Sequence, residues 1–214
     1  MTNSDAALRK LVTAIAAGDS AAFSKILSAS PDLARAQFEA TNATRQSAKA
    51  NFIAEVGKYI YRGDTALHFA AAAYATNVIS SLIKAGADVR ARNRLGDEPL
   101  HAAANGNPGS SRWNPTAQAD TITALITAGA DPNAVNKMGV TPLHKAVRTR
   151  CAEAVRVLLS HGADPAKKNG RDSDAKLLAS MNTGRGGSGS PQAKIQQQQI
   201  ILLLENALNQ MSSH

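Results

Sequence analysis

The apolar positions of this chain repeat one short motif. Val78, Ile79, Leu82 and Ile83 stand at i, i+1, i+4 and i+5, the stripe that one face of an α-helix turns toward a core. The stripe returns at Thr121, Ile122, Leu125 and Ile126, and again at Ala154, Val155, Leu158 and Leu159. Ala22, Phe23, Ile26 and Leu27 carry it near the N-terminus, and Gln199, Ile200, Leu203 and Leu204 near the C-terminus. A second short segment precedes each of the three central stripes. These segments open on Thr65-Ala66-Leu67-His68, Glu98-Pro99-Leu100-His101 and Thr141-Pro142-Leu143-His144, and Gly-Ala-Asp follows each stripe at 86–88, 129–131 and 162–164. The pattern predicts five pairs of helices.

The spacing predicts how the pairs are arranged. His68 to His101 is 33 residues, and so is Gly129 to Gly162. A period of this size marks a stacked array in which each unit buries its apolar face against its neighbours. The equivalent positions Phe23, Ile79, Ile122, Val155 and Ile200 advance by 56, 43, 33 and 45 residues, so three connections carry excesses of 23, 10 and 12 residues. The first excess falls between Asp32 and Gly63, the second between His101 and Thr121, the third between Ala179 and Gln199. Thr65 and Thr141 are placed to cap a helix, and Pro99 and Pro142 sit at the first helical position, where a missing N–H costs nothing. Gly86, Gly129 and Gly162 stand where a left-handed residue closes the second helix. Asp174-Ala175-Lys176-Leu177 opens the last unit without the Leu-His pair. Both end units are degenerate, as expected of caps that face water.

The motifs TPLHKA at 141–146, EPLHAA at 98–103 and TALHFA at 65–70, with the trailing GAD sequences, resemble ankyrin repeats. The likeness is specific over 63–170 and weaker at the two ends. The resemblance implies an all-α solenoid of about five helix-turn-helix units, joined by β-hairpin-like fingers, with a concave face that binds other proteins. One domain over 1–214 then divides into an N-terminal capping unit (5–36), an inserted connection (37–62), repeats at 63–94, 95–137 and 138–170, and a C-terminal capping unit with a Gly-rich loop (171–210). Tyr74 and Arg150 stand where such repeats favour glycine between their helices, whereas Gly18 keeps it. The whole chain is also similar to stand-alone bacterial ankyrin-repeat proteins, a likeness that brings no defined biochemical role.

Composition sharpens this picture in three respects. Hydrophobic residues make up 43% of the chain but aromatic ones only 4%, so the core must be aliphatic and rich in alanine. The single cysteine, Cys151, cannot form an internal disulfide, and no apolar run approaches the roughly 18 residues needed to cross a bilayer. A cytoplasmic protein, monomeric and without membrane attachment, is expected. Of the net charge of +8, residues 137–194 supply +7, so an anionic ligand is expected to meet the C-terminal half.

Candidate chemistry is sparse. His68, His101 and His144 occupy equivalent places in stacked units about 8–10 Å apart, and a shared zinc requires nitrogens about 2 Å from the ion. The resemblance implies instead that these imidazoles bond backbone groups and tie units together. His144 and Cys151 share a helical face but lie about 10 Å apart along its axis, too far for a nucleophile–base pair. Arg148 and Arg150 beside Cys151 are expected to lower its thiol pKa without making it catalytic. No catalytic motif is present, and neither an enzyme nor a cofactor or metal is expected.

Two loops carry the remaining signal. Asn105–Pro115, with Arg112 and the only tryptophan, Trp113, and Thr183–Pro191, with Arg185, occupy equivalent junctions in units three and five. Both are expected to flank Arg148-Thr149-Arg150. Arg112, Trp113, Arg148, Arg150, Arg185 and Tyr74 are therefore the candidate binding residues. Arginine forks and free backbone N–H groups suit phosphate or carboxylate. In the insertion, Phe52, Ile53, Val56, Tyr59 and Ile60 predict an amphipathic helix that folds back over unit one, with a grip on a partner as the alternative. The leading reading is a non-enzymatic scaffold that binds another protein through the concave face and inserted loops. The alternative is a module for a phosphorylated metabolite, acidic peptide or nucleic acid at the basic loop edge. Nucleic acid is the weakest of these, because few aromatic side chains are available for stacking.

Overall fold

The apolar stripes become ten helices among the described residues, and these form two layers. In the computed structural model the described residues are 3–39, 51–110, 113–181 and 191–212. The helices are α1 (Asn3–Ala17), α2 (Ser20–Ala29), α3 (Ala66–Ala72), α4 (Thr76–Lys84), α5 (Pro99–Ala104), α6 (Pro115–Thr127), α7 (Pro142–Arg148), α8 (Ala152–Ser160), α9 (Ala175–Ser180) and α10 (Pro191–Ser212). Each odd-numbered helix pairs with the even-numbered helix that follows it. The odd-numbered helices then stack in a row from α1 to α9, while α4, α6, α8 and α10 stack behind them. The chain is thus a solenoid of five helix pairs.

The inner row is built from small residues between a few large ones. Leu67, Leu100 and Leu143 are buried, as are Ala70, Ala71, Ala103, Ala104 and Ala146. Alanine lets these short helices approach closely without a side-chain entropy cost on burial. The outer row contributes the predicted stripe: Ile79, Leu82, Ile122, Leu125, Val155 and Leu158 are all buried. Helices of six or seven residues are too short to persist alone in water, so packing between units holds them.

Each inner helix is locked at its start by the same pair of residues. Thr65, Glu98 and Thr141 are N-caps, and in each unit the histidine three residues later closes a reciprocal capping box. The Thr65, Glu98 and Thr141 N–H groups donate to Nδ1 of His68, His101 and His144 at 3.2, 3.1 and 3.0 Å. An Nδ1 that accepts leaves Nε2 as the protonated nitrogen. It donates from His68 to the Asp97 carbonyl and from His101 to the Val140 carbonyl, both at 3.0 Å. Each imidazole therefore closes its own helix, and those of His68 and His101 also clamp the next unit, as the resemblance implied. His144 Nε2 faces the Lys167 and Ser173 carbonyls but closes no well-formed hydrogen bond with them.

The fingers between units are Asx turns in register. Asn93 Oδ1 accepts from the Leu95 and Asp97 N–H groups, Asn136 Oδ1 from Met138 and Val140, and Asn169 Oδ1 from Arg171 and Ser173. The Asn93 amide then donates to Asp64 and the Asn136 amide to Asp97, each reaching back to the preceding finger. Gly63, Gly96 and Gly139 have positive φ, and a Cβ on any of them would lie within 3.0 Å of the next finger's backbone. Asp172 holds the equivalent left-handed place at φ 58° in the last finger, where no further finger stacks upon it. Close approach of successive fingers thus explains the three glycines.

The insertion before unit two departs from the predicted helix. Phe52–Ile53 (β1) and Lys58–Tyr59 (β2) form a two-stranded antiparallel hairpin with Phe52 opposite Tyr59 and Ile53 opposite Lys58. A short 3₁₀ turn at Ala54–Val56 and left-handed Gly57 at φ 59° connect them. Gly57 breaks the helical run, and the turn at Ala54–Val56 packs against α1. Ile53 and Ile60 are buried in the common core, whereas the Phe52 and Tyr59 rings meet at a tilt, 4.8 Å between centroids, on the exposed face. The insertion is anchored at Arg9, which donates to Asn51 at 2.7 Å, and through Phe38, whose ring meets Phe69 edge-on at 6.3 Å. Three of the five expected apolar residues, Ile53, Val56 and Ile60, pack on the core, and Phe52 and Tyr59 face outward.

Candidate binding groove

The inner helices, the fingers and the two described insertions enclose a groove of about 870 Å³. The hairpin supplies Tyr59, the following finger Tyr61, and the loop after α5 supplies Asn105 and Trp113. Tyr74 and Lys145 stand between them on units two and four. Aromatic residues are rare in this chain, so the gathering of three of the three tyrosines and the only tryptophan in one groove is a strong concentration.

The charges within the groove are internally matched. Lys58 Nζ lies 2.8 Å from Asp64, which is fully buried, and Lys145 Nζ lies 2.9 Å from Asp97. Burial works to raise the Asp97 pKa, but Lys145, the His101 side and the Asn136 amide outweigh it and hold the carboxyl below its ordinary value. Lys58 also sits over the rings of Tyr61 and Phe69, at 5.3 and 4.9 Å. Burial holds all three unit histidines below the ordinary imidazole value, His101 down to about 4, so they are neutral at physiological pH.

Tyr74 and Trp113 are fixed by hydrogen bonds. The Tyr74 hydroxyl donates to the Asn105 carbonyl at 2.9 Å, and burial holds its pKa far above the ordinary phenol value. Trp113 Nε1 donates to Gln118 Oε1 at 2.9 Å, and the Gln118 amide donates to the Ala103 carbonyl at 2.9 Å. Gly106 N–H donates to Thr149 Oγ1 at 3.3 Å, so the loop after α5 meets the turn between α7 and α8. A Cβ on Gly106 would lie 2.4 Å from the Cys151 sulfur. Trp113 also borders a second groove of about 630 Å³ between α6, α8 and α10, beside Ala152, Glu153 and Gln196.

The arginines behave differently from the sequence-based expectation. Arg150 is only 3% exposed, and with Arg148 it lines a closed cleft against Leu178, Gln197 and Ile200 that has no room for even a water-sized ligand. Its Nη1 has no hydrogen-bond partner among the described residues. The guanidinium is packed under α9 and α10, so it presents no open fork to an anion. The structure brings Tyr74, Trp113 and Thr149 together but turns Arg150 to another side. Arg112, Arg185 and the Gly-rich stretch 182–190 lie outside the described residues. The expectation for Cys151 is also corrected. Burial pushes its thiol up to about 11, opposite to the lowering expected from neighbouring arginines.

Two glutamines of α10 act as fasteners. The Ala152 N–H at the start of α8 donates to Gln196 Oε1 at 2.9 Å, and the Gln197 amide donates to the Ala179 carbonyl at 2.7 Å. Among the described residues no group of three or more His, Cys, Asp or Glu is arranged to hold a metal ion. No described helix is long and apolar enough to cross a membrane.

A stacked helical solenoid with an aromatic concave groove defines a class of repeat proteins that bind along one face. The family model for ankyrin repeats (three copies) matches residues 11–113 and 115–178, and the chain belongs to the ankyrin-repeat family. Ankyrin repeats are generally protein–protein interaction modules, and the family is typically non-enzymatic. No curated protein matches the chain at a significant level.

Proposed function

We propose that this protein is a non-enzymatic scaffold, acting in the cytoplasm as a monomer, that holds an extended segment of another protein in the groove between the hairpin and the loop after α5. The observation that carries this reading is the collection of Tyr59, Tyr61, Tyr74 and Trp113 around one open groove of about 870 Å³. Tyrosine and tryptophan offer large, stiff contact area with a polar tip, which is why they dominate the energetics of protein interfaces. The groove's lysines are already paired, so it offers contact area and backbone hydrogen bonding more than charge. The preformed wall limits the ordering cost of association.

Photocrosslinking tests it. A benzophenone side chain placed at Leu95, which borders the groove, is expected to yield one discrete protein adduct in lysate of the source cells. The same group at Ser80, exposed on the outer helix α4, is expected to yield none. Equal labelling from both positions, or no adduct from Leu95, overturns the reading.

A further inference from the structure

The finger edge carries a row of unmatched cations. Arg62, Arg94, Lys137 and Arg171 each stand at or next to the tip of one of four successive fingers, and all four are exposed. The tips are stitched together by backbone hydrogen bonds, from Arg94 N to Arg62 O at 2.7 Å, Lys137 N to Leu95 O at 3.0 Å and Gly170 N to Met138 O at 2.8 Å. The row is therefore a rigid register and not a set of independent side chains. Cations set back from the tips have carboxylate partners: Arg90 has Asp131, Arg92 has Glu98, Lys145 has Asp97 and Lys168 has Asp172. None of the four tip cations has one among the described residues, and the remaining stretches of the chain contain no Asp or Glu side chain. Arg94 is also steadied over the Tyr61 ring at 4.9 Å, which leaves its N–H edge free to donate.

We infer that this edge docks an acidic, extended stretch of the partner protein, with a carboxylate or phosphate at about every third residue. The inference rests on the protein-binding reading above and adds the chemistry of the partner. Stacked units advance by about 8–10 Å, and three residues of extended chain span about 10 Å, so such a stretch meets one finger per three residues. A single exposed pair contributes little, but a fixed row of one sign steers encounter and sets orientation. Duplex nucleic acid would call for cations on both sides of a groove. Single-stranded nucleic acid would call for stacking platforms along the row, and Tyr61 alone lies there.

Fluorescence anisotropy on the full chain tests the inference. The probe is a labelled peptide of about a dozen residues with Glu at every third position among Ser and Ala. A matched Gln peptide and a single-stranded oligonucleotide of similar length are the comparisons. The Glu peptide is expected to bind at least about tenfold more tightly than the other two, and to lose about tenfold as salt is raised through the physiological range. The combined change Arg62→Ala, Arg94→Ala, Lys137→Ala and Arg171→Ala is expected to weaken it by at least about tenfold. Removing three exposed cations elsewhere, with Lys25→Ala, Lys84→Ala and Lys194→Ala, is expected to leave binding within about twofold. Equal binding of the Gln peptide, or equal loss in the two variants, overturns the proposal. Tighter binding of the oligonucleotide through the same four residues makes the edge a nucleic-acid interface and also overturns it. A Glu peptide that fails to bind the parent chain, which still gives the Leu95 adduct, removes this inference and leaves the groove reading standing.

Discussion

The Tyr74 hydroxyl donates to the Asn105 carbonyl at 2.9 Å, tying the turn of unit two to the first residue of the loop inserted in unit three. Tyr74 holds a left-handed backbone at φ 55° in the place where Gly18 serves unit one. A bulky residue in that conformation costs about 1–2 kcal/mol. The bond across units offsets part of that cost and fixes one wall of the groove. Tyr74→Phe keeps the ring and removes the donor, and is expected to cost about 1 kcal/mol in urea denaturation. Hydrogen exchange at Gly106–Ser110 is expected to accelerate more than in α8. Unchanged exchange in that loop contradicts the clamp.

Finger stacking predicts a contrast between two glycines. A Cβ on Gly96 would meet the Lys137 backbone nitrogen at 2.9 Å, while one on Gly129 would meet nothing within 4 Å. Both have positive φ, 77° and 100°. Gly129→Ala is expected to cost about 1 kcal/mol from backbone strain alone. Gly96→Ala adds a clash with backbone that cannot swing aside and is expected to cost roughly 3 kcal/mol. Equal denaturation midpoints for the two variants disprove a role for close approach.

The histidine clamps give stability a pH dependence of definite sign. Burial lowers the His101 pKa from 6.5 to about 4, so below pH 6.5 the unfolded chain binds a proton that the folded one refuses. Stability then rises with pH over this window and is lost as pH falls from about 6.5 toward 4, by roughly 3 kcal/mol in all from this residue. His68 and His144 shift in the same direction for the same first reason, burial. Denaturation midpoints from pH 7 to pH 4 check this, with His101→Gln expected to flatten the curve. A parent midpoint that stays level across the window rules it out.

Arg150 predicts a stabilising change. Its backbone sits at φ 58° and its Nη1 is buried without a partner among the described residues. Arg150→Gly removes the left-handed strain, about 1–2 kcal/mol, and an unsatisfied donor, about 1–3 kcal/mol. The lost stem contacts with Leu178 and Ile200 return about 2 kcal/mol. A net gain of about 1 kcal/mol is expected in thermal denaturation. A lower midpoint for Arg150→Gly shows that the buried guanidinium supports the α7–α9–α10 junction.

The stripes at Ile79, Ile122 and Val155 and the capping histidines are local signals, readable from spacings of three and four residues, and they determined the helix pairs and their stacking. Placement of the insertions was decided in three dimensions. Phe52 to Ile60 fits a helical period as well as a hairpin, and Gly57 with the buried seats for Ile53 and Ile60 selects the hairpin. Arg150 reads as an exposed fork beside basic neighbours, yet the turn of α7 into α8 points it beneath α10. Arg62, Arg94 and Lys137 precede Gly63, Gly96 and Gly139 by one or two residues, a signal present in the chain but without meaning until the fingers stack. The sequence by itself determined which units form, because their contacts are short-range and repeat. Only the tertiary structure decided which side chains share a surface, because residues dozens of positions apart become neighbours through the stacking of whole units.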